Sequence, residues 1–138
     1  MLKPQQRKFK KNNKGRNITK LETKSNQLKY GVFGLQALEK GRITAKQIET
    51  VRRTITNLTK RKGKIWIRIF PDFPITQKPS EVRMGKGKGN VSFWVCNVKP
   101  GKILYEIAGA NLKILENALL FATIKLPIKV RLIKRDLI

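Results

Sequence analysis

Hydrophobic and polar positions alternate in two rhythms along most of this chain. Tyr30 to Leu38 reads as a first strand, with Gly31 and Gly34 as close-approach or bulge positions, and Gly41 then marks a turn. Ile48, Val51, Ile55 and Leu58 recur at helical spacing as one apolar stripe, with Arg52 and Arg53 beside it. Thr44 suits the N-cap of that helix, and Gln47, three residues on, completes a capping box. Lys60, Arg61 and Lys62 load its last turn, where cations suit the dipole, and Gly63 is its expected left-handed cap. Lys64 to Phe70 follows as a strand, with Ile65, Ile67 and Ile69 on one face and Trp66, Arg68 and Phe70 on the other. Pro71, Pro74 and Pro79 break regular structure, and Ser80 to Asn90 has no apolar period at all. Val91 to Val98 predicts a strand with Val91, Phe93 and Val95 on one side. Pro100-Gly101 makes a tight turn, and Lys102 to Ile107 returns as its hairpin partner. Asn111 caps a second helix that runs to about Lys125, with Leu112, Leu115, Leu119 and Ala122 inward, and Pro127 forces its end. In a last strand Ile128, Val130 and Leu132 alternate with Lys129, Arg131 and Lys134.

These elements predict an α+β fold: a two-layer sandwich of one mainly antiparallel sheet with two helices packed on it. Residues 1–28 show neither period and form a basic arm. Residues 29–138 form a single α+β domain with an extended Gly/Lys-rich loop at 80–90.

Charge changes the picture more than any other bulk property. Thirty-two Lys and Arg stand against eight Asp and Glu, a formal +24 on 138 residues. Such a chain repels itself and calls for a polyanion, yet 40% hydrophobic residues supply a small core. No apolar run reaches the length of a membrane span, and both helices turn their apolar faces inward, so nucleic acid leads and no membrane partner is expected. Histidine is absent and Cys96 is the lone cysteine. An intrachain disulfide is excluded, a zinc site lacks its ligands, and Ser-His or Cys-His chemistry has no base. The expectation is neither an enzyme nor a cofactor or metal carrier. The stretch Met1 to Leu21 holds eight cations and no acid. Its charge suits a transit peptide, but Leu2, Phe9, Ile18 and Leu21 mark no helical face, so it reads as a mature arm whose order comes from a partner.

The sharpest local motif is Arg83-Met84-Gly85-Lys86-Gly87-Lys88-Gly89-Asn90. Alternating glycines remove side-chain bulk and permit positive φ, and exposed N–H groups beside cations suit phosphate oxygens. It is not a P-loop, whose spacing differs and which precedes a helix. It is not a dinucleotide fingerprint either, because Asn90 occupies the third required glycine position. The acids are scattered. Glu49 and Glu106 fall in regular elements, where salt bridges are expected; Asp72 sits in a Pro-bounded turn; Cys96 reads as a small buried hydrophobe. The Trp66, Arg68 and Phe70 face is open to two readings, contact with RNA bases or packing under a loop. Aromatic residues are 7% of the chain, and Phe93 and Trp94 fall on opposite faces of their strand, which argues against a single-strand stacking platform. Basic residues spread over arm, helix, loop and last strand fit a folded RNA gripped by phosphate contact and shape.

The residues then show a resemblance. Met1-Leu2-Lys3-Pro4, Lys14-Gly15-Arg16, Gly41-Arg42-Ile43-Thr44, Gly63 through Asp72, Val82 through Asn90, Lys99 through Glu106 and Lys125 through Lys129 together resemble the L-sixteen family of large-subunit ribosomal proteins, over nearly the whole chain. The resemblance implies a non-enzymatic protein seated on large-subunit rRNA beside the aminoacyl-tRNA (A) site, with neighbouring ribosomal proteins and A-site tRNA as partners and no homo-oligomer. It implies rRNA contacts from Lys3, Arg7, Lys8, Lys10, Lys11, Lys14 and Arg16 in the arm, and from Arg42, Arg52, Arg53, Arg61, Lys64 and Arg68 on the body. Arg83, Met84, Gly85, Lys86, Gly87, Lys88 and Gly89 would reach toward the tRNA and the peptidyl transferase centre, Arg83 matching a position hydroxylated in some bacteria. Residues 17–29 and Val130 to Ile138 depart from the family pattern, and Phe73 stands where a basic residue is usual. Two other readings compete, an RNA-acting or nucleotide-dependent enzyme and a free-standing RNA chaperone. A start like a mature family member and a Lys-, Ile- and Asn-rich composition suggest a mitochondrial, organelle-encoded protein, with a plastid or the cytoplasm of an AT-rich bacterium as alternatives.

Overall fold

A computed structural model describes residues 2–15 and 20–135. Arg16 and the last three residues, 136–138, lie outside the described residues. The elements run β1 Phe33–Ala37, β2 Gly41–Thr44, α1 Ala45–Leu58, β3 Lys64–Ile67, β4 Phe73–Gln77, β5 Asn90–Val98, β6 Ile103–Ala108, α2 Leu112–Thr123 and β7 Val130–Lys134. The fold is α+β, as the alternation of periods predicts, but the strands form two sheets rather than one. A four-stranded sheet has the order β3-β6-β1-β7, and a three-stranded sheet the order β2-β5-β4. Every pairing is antiparallel.

The second sheet corrects the expected hairpin. The chain does turn at Pro100-Gly101, but β5 pairs with β2 and β4, while β6 pairs with β1 and β3. The partners of β5 are the two strands that local pattern concealed. β2 starts at Gly41, read as a turn, and is only four residues long. β4 contains Pro74, which lacks a ladder N–H but is tolerated because β4 is an edge strand.

Helix α1 begins as its sequence dictates. The Thr44 hydroxyl accepts from the Gln47 N–H (3.2 Å), and the Gln47 side-chain oxygen accepts from the Thr44 N–H (2.9 Å). Its end differs. The buried Thr59 hydroxyl donates to the Ile55 carbonyl (2.9 Å), and Lys60 and Arg61 take φ of +50° and +62°, so the helix stops at Leu58. Lys60 to Lys62 therefore lie beyond it, Gly63 is not its cap, and Leu58 is exposed. Ile48, Val51 and Ile55 keep the predicted apolar stripe, fully buried. In α2 the Asn111 side chain accepts from the Lys113 N–H (3.1 Å). Leu115, Ala118, Leu119 and Ala122 point inward, while Leu112 is exposed. One apolar cluster joins Phe33, Leu35, Tyr105 and Ile107 of the four-stranded sheet to both helices and to Cys96 and Val98 of β5.

The two early glycines do what their spacing suggests. A Cβ at Gly31 would stand 2.7 Å from the Ile107 nitrogen, and one at Gly34 would stand 2.8 Å from the Tyr105 carbonyl oxygen. Only glycine lets this segment lie so close to β6.

Candidate nucleic-acid interface

The Gly/Lys loop hangs from the second sheet. The pair Gln77 and Asn90 closes its base, where β4 ends and β5 begins. Glu81 through Lys88 are exposed, and Met84 is 98% exposed. Gly85, Lys86 and Gly87 all have positive φ, at +98°, +55° and +91°. A Cβ at Gly85 or Gly87 would meet open space, so backbone conformation, not crowding, asks for glycine there. The loop is tethered at two points. The Lys78 ammonium donates to the Gly85 carbonyl, and the Lys88 ammonium donates to the carbonyl of Asn12 in the arm. Lys11 donates in return to the Lys88 carbonyl (3.1 Å). Among the described residues Arg83 and Lys86 have no hydrogen-bond or ion-pair partner. Sequence reasoning did not pick out Lys78 and Asn12, which hold the loop; neither lies in a periodic element.

The arm also touches the folded body. The Arg7 guanidinium donates to the Asp72 carbonyl (2.5 Å) and lies 5.6 Å from the Trp94 ring centroid. Arg42 donates to the Lys14 carbonyl (3.0 Å) and to the Asn97 side chain (3.2 Å), with its guanidinium 5.5 Å over Phe73. Leu2 packs against the core cluster. Lys3, Lys8, Lys10, Lys11 and Lys14 remain exposed along this path. The structure thus brings the arm to the foot of the loop, which lie about 70 residues apart in sequence (Lys11 and Lys88 are 77 apart).

On the body the cations divide. Arg61 and Lys64 are exposed. Arg52 and Arg53 fork onto Glu49 at 2.6 and 3.1 Å on the surface of α1. The Arg52 hydrogen bond, with help from Arg53, outweighs desolvation and holds the Glu49 carboxyl down to about 2. Arg68 is mostly buried and ion-paired to Glu106, itself fully buried. Beside it Trp66 stacks on Tyr30, with centroids 5.9 Å apart and planes at 19°. The Trp66 and Arg68 face therefore packs beneath residues 27–31. Arg68 acts as a strut for that segment, and its cation is already satisfied within the chain.

Fold and surface together define a class: a small α+β body with exposed cations on its surface, on a basic arm and on a loop that meets the arm, a shape suited to lie along a polyanion. Residues 4–133 match the ribosomal protein L16p/L10e family. The chain is 55% identical over 137 residues to the large ribosomal subunit protein uL16 of Psychrobacter cryohalolentis, covering 99% of each chain. It is 54% identical over 135 residues to the proteins of that name from Chelativorans sp. and Buchnera aphidicola subsp. Acyrthosiphon pisum, covering 98% of each. The chain belongs to the ribosomal protein L16p/L10e family; it is a structural ribosomal protein and not an enzyme.

Proposed function

We propose that this protein is a constituent of the large ribosomal subunit that binds large-subunit rRNA near the A site. Its arm and basic body grip phosphates, and its 80–90 loop faces the A-site tRNA and the peptidyl transferase centre. In this role it helps to position aminoacyl-tRNA and to complete subunit assembly. The observation that carries the reading is the loop: Arg83 and Lys86 stand exposed and, among the described residues, without partners, on a backbone anchored at Lys78 and Lys88. Near-full-length identity to proteins named for the large subunit supports the same reading. The exposed apolar side chains of α2 (Ile114, Leu120 and Phe121) and of its C-cap, Ile124, suit a neighbouring ribosomal protein. The named relatives are bacterial. They support the bacterial alternative for the compartment and lend nothing to the mitochondrial one.

The test has two arms. Affinity for a fragment of large-subunit rRNA should fall with salt at a log–log slope of about 0.7 to 0.9 per phosphate neutralised; a flat response overturns RNA binding. Subunits carrying the Arg83→Ala, Lys86→Ala double variant should assemble but hold aminoacyl-tRNA more weakly in filter binding. Unchanged tRNA binding overturns the placement of the loop.

A further inference from the structure

The outer face of the three-stranded sheet holds a groove where the arm meets the loop, and the account above leaves its apolar floor unused. It is a cavity of about 460 Å³, and its lining includes Lys14, Arg42, Phe73, Ile75, Lys88 and Phe93. That volume falls within the roughly 300–1,000 Å³ of ordinary small-molecule sites. Strand pairing creates it. Ile75 stands opposite Phe93, and Phe73 stands opposite Val95, so alternation puts all four on one side of the sheet with the two rings as diagonal neighbours. Among the described residues those two rings are not stacked on each other. Phe93 is 42% exposed although it lies on a paired strand. The groove is therefore lined by both aromatic and cationic groups: Phe93 is open, Arg42 lies over the Phe73 ring, Lys14 is exposed, and Lys88 reaches in from the loop while donating to the Asn12 carbonyl.

A ligand that uses both kinds of group is flat and carries an anion. An acidic peptide uses the cations and leaves the rings idle; an aliphatic chain uses the rings and leaves the cations idle. A nucleobase with its flanking phosphate uses both. We propose that the groove seats one unstacked nucleotide of the bound RNA, its base against Phe93 and Phe73 and its phosphate on Lys14 and Lys88. This rests on the RNA-binding reading above and adds a base contact to one built on phosphates.

The experiment measures binding of the full chain to the same rRNA fragment across a salt series. Base–aromatic stacking is worth about 1–3 kcal/mol per base, so Phe93→Leu should weaken binding by about 5- to 150-fold. The salt slope should stay that of the wild type, because no phosphate contact is removed. Phe93→Tyr keeps a stacking face and should bind like the wild type. Ultraviolet irradiation of the wild-type complex, followed by peptide mass mapping, should place RNA adducts on Phe93 or Phe73. Wild-type affinity for Phe93→Leu at a steep salt slope overturns the groove and leaves the RNA reading standing, as do adducts confined to the arm and the 80–90 loop. A flat slope for the wild type overturns both.

Discussion

Glu106 to Gln is the substitution that most directly probes what holds this fold together. The carboxylate is fully buried in the middle of β6. One oxygen accepts three backbone N–H groups, from Lys29 (3.0 Å), Tyr30 (2.6 Å) and Gly31 (2.8 Å). The other is paired with Arg68, whose side chain is 17% exposed. Glutamine keeps the shape but turns one acceptor into a donor. That NH2 must face either three N–H groups or a guanidinium; in the second case Arg68 keeps only a 3.5 Å contact to the Gln27 carbonyl and its place 5.5 Å over the Tyr30 ring. Breaking a buried pair from one side costs about 3–5 kcal/mol, against a total of about 5–15 kcal/mol for a domain. The slight solvent access of Arg68 favours the lower end. Melting followed by far-UV circular dichroism should fall by about 10–20 °C for a chain of this length. Arg68→Met leaves Glu106 with its three N–H donors, so it should cost less. A wild-type melting point for Glu106→Gln, or a reversed order of the two variants, would refute the reasoning. The same group sets an acid limit. Burial pushes the Glu106 carboxyl up, but the N–H groups of Gly31 and Tyr30, the Arg68 guanidinium and the Lys29 N–H more than offset it, and the net direction is down from the usual 4.5. A depressed folded value means that the contribution is complete above the ordinary carboxylate range and is lost as pH falls through the folded value. The gap between wild type and Glu106→Gln should therefore close on acidification from 4.5 downward.

Two further outcomes follow from packing. Gly34→Ala sets a Cβ 2.5 Å from Leu28 Cδ2 and 2.8 Å from the Tyr105 carbonyl oxygen; the leucine can swing away but the backbone cannot, so the guanidinium chloride midpoint should drop by the equivalent of about 1–3 kcal/mol or more, and an unchanged midpoint would contradict the close approach of β1 and β6. Cys96 is 4% exposed and burial pushes its thiol up, so a colorimetric thiol reagent should find no reactive thiol in the native protein and one equivalent after denaturation; rapid native labelling would place β5 outside the core.

Where a residue's structural partner lies within a few positions, the sequence already carried the answer. The Thr44 and Gln47 capping box, the Ile48, Val51 and Ile55 stripe, the Asn111 cap and the buried Cys96 are all present as read. The salt bridge expected of Glu49 forms within α1, and that expected of Glu106 also forms, though its partner lies 38 positions away. The misreadings share a cause. Gly41 and Pro74 carry turn signals, yet each lies in a strand, because β5 offers both its edges to them from 20 or more positions away in sequence. Pro100-Gly101 is a good turn, but a turn fixes only a change of direction, not whether the next strand pairs with the last one or crosses to another sheet.

By itself the sequence determined a basic α+β chain, its two helices and its glycine-rich loop, because composition and local periodicity are properties of neighbours. Only the tertiary structure decided which cations are free and which are paired. Arg68 is turned inward by a glutamate 38 residues away, and Arg83 and Lys86 are left outward. It also decided that Phe73 and Phe93, 20 residues apart, face one groove. Such pairings depend on strand register between distant segments, and register is set by burying the whole core at once.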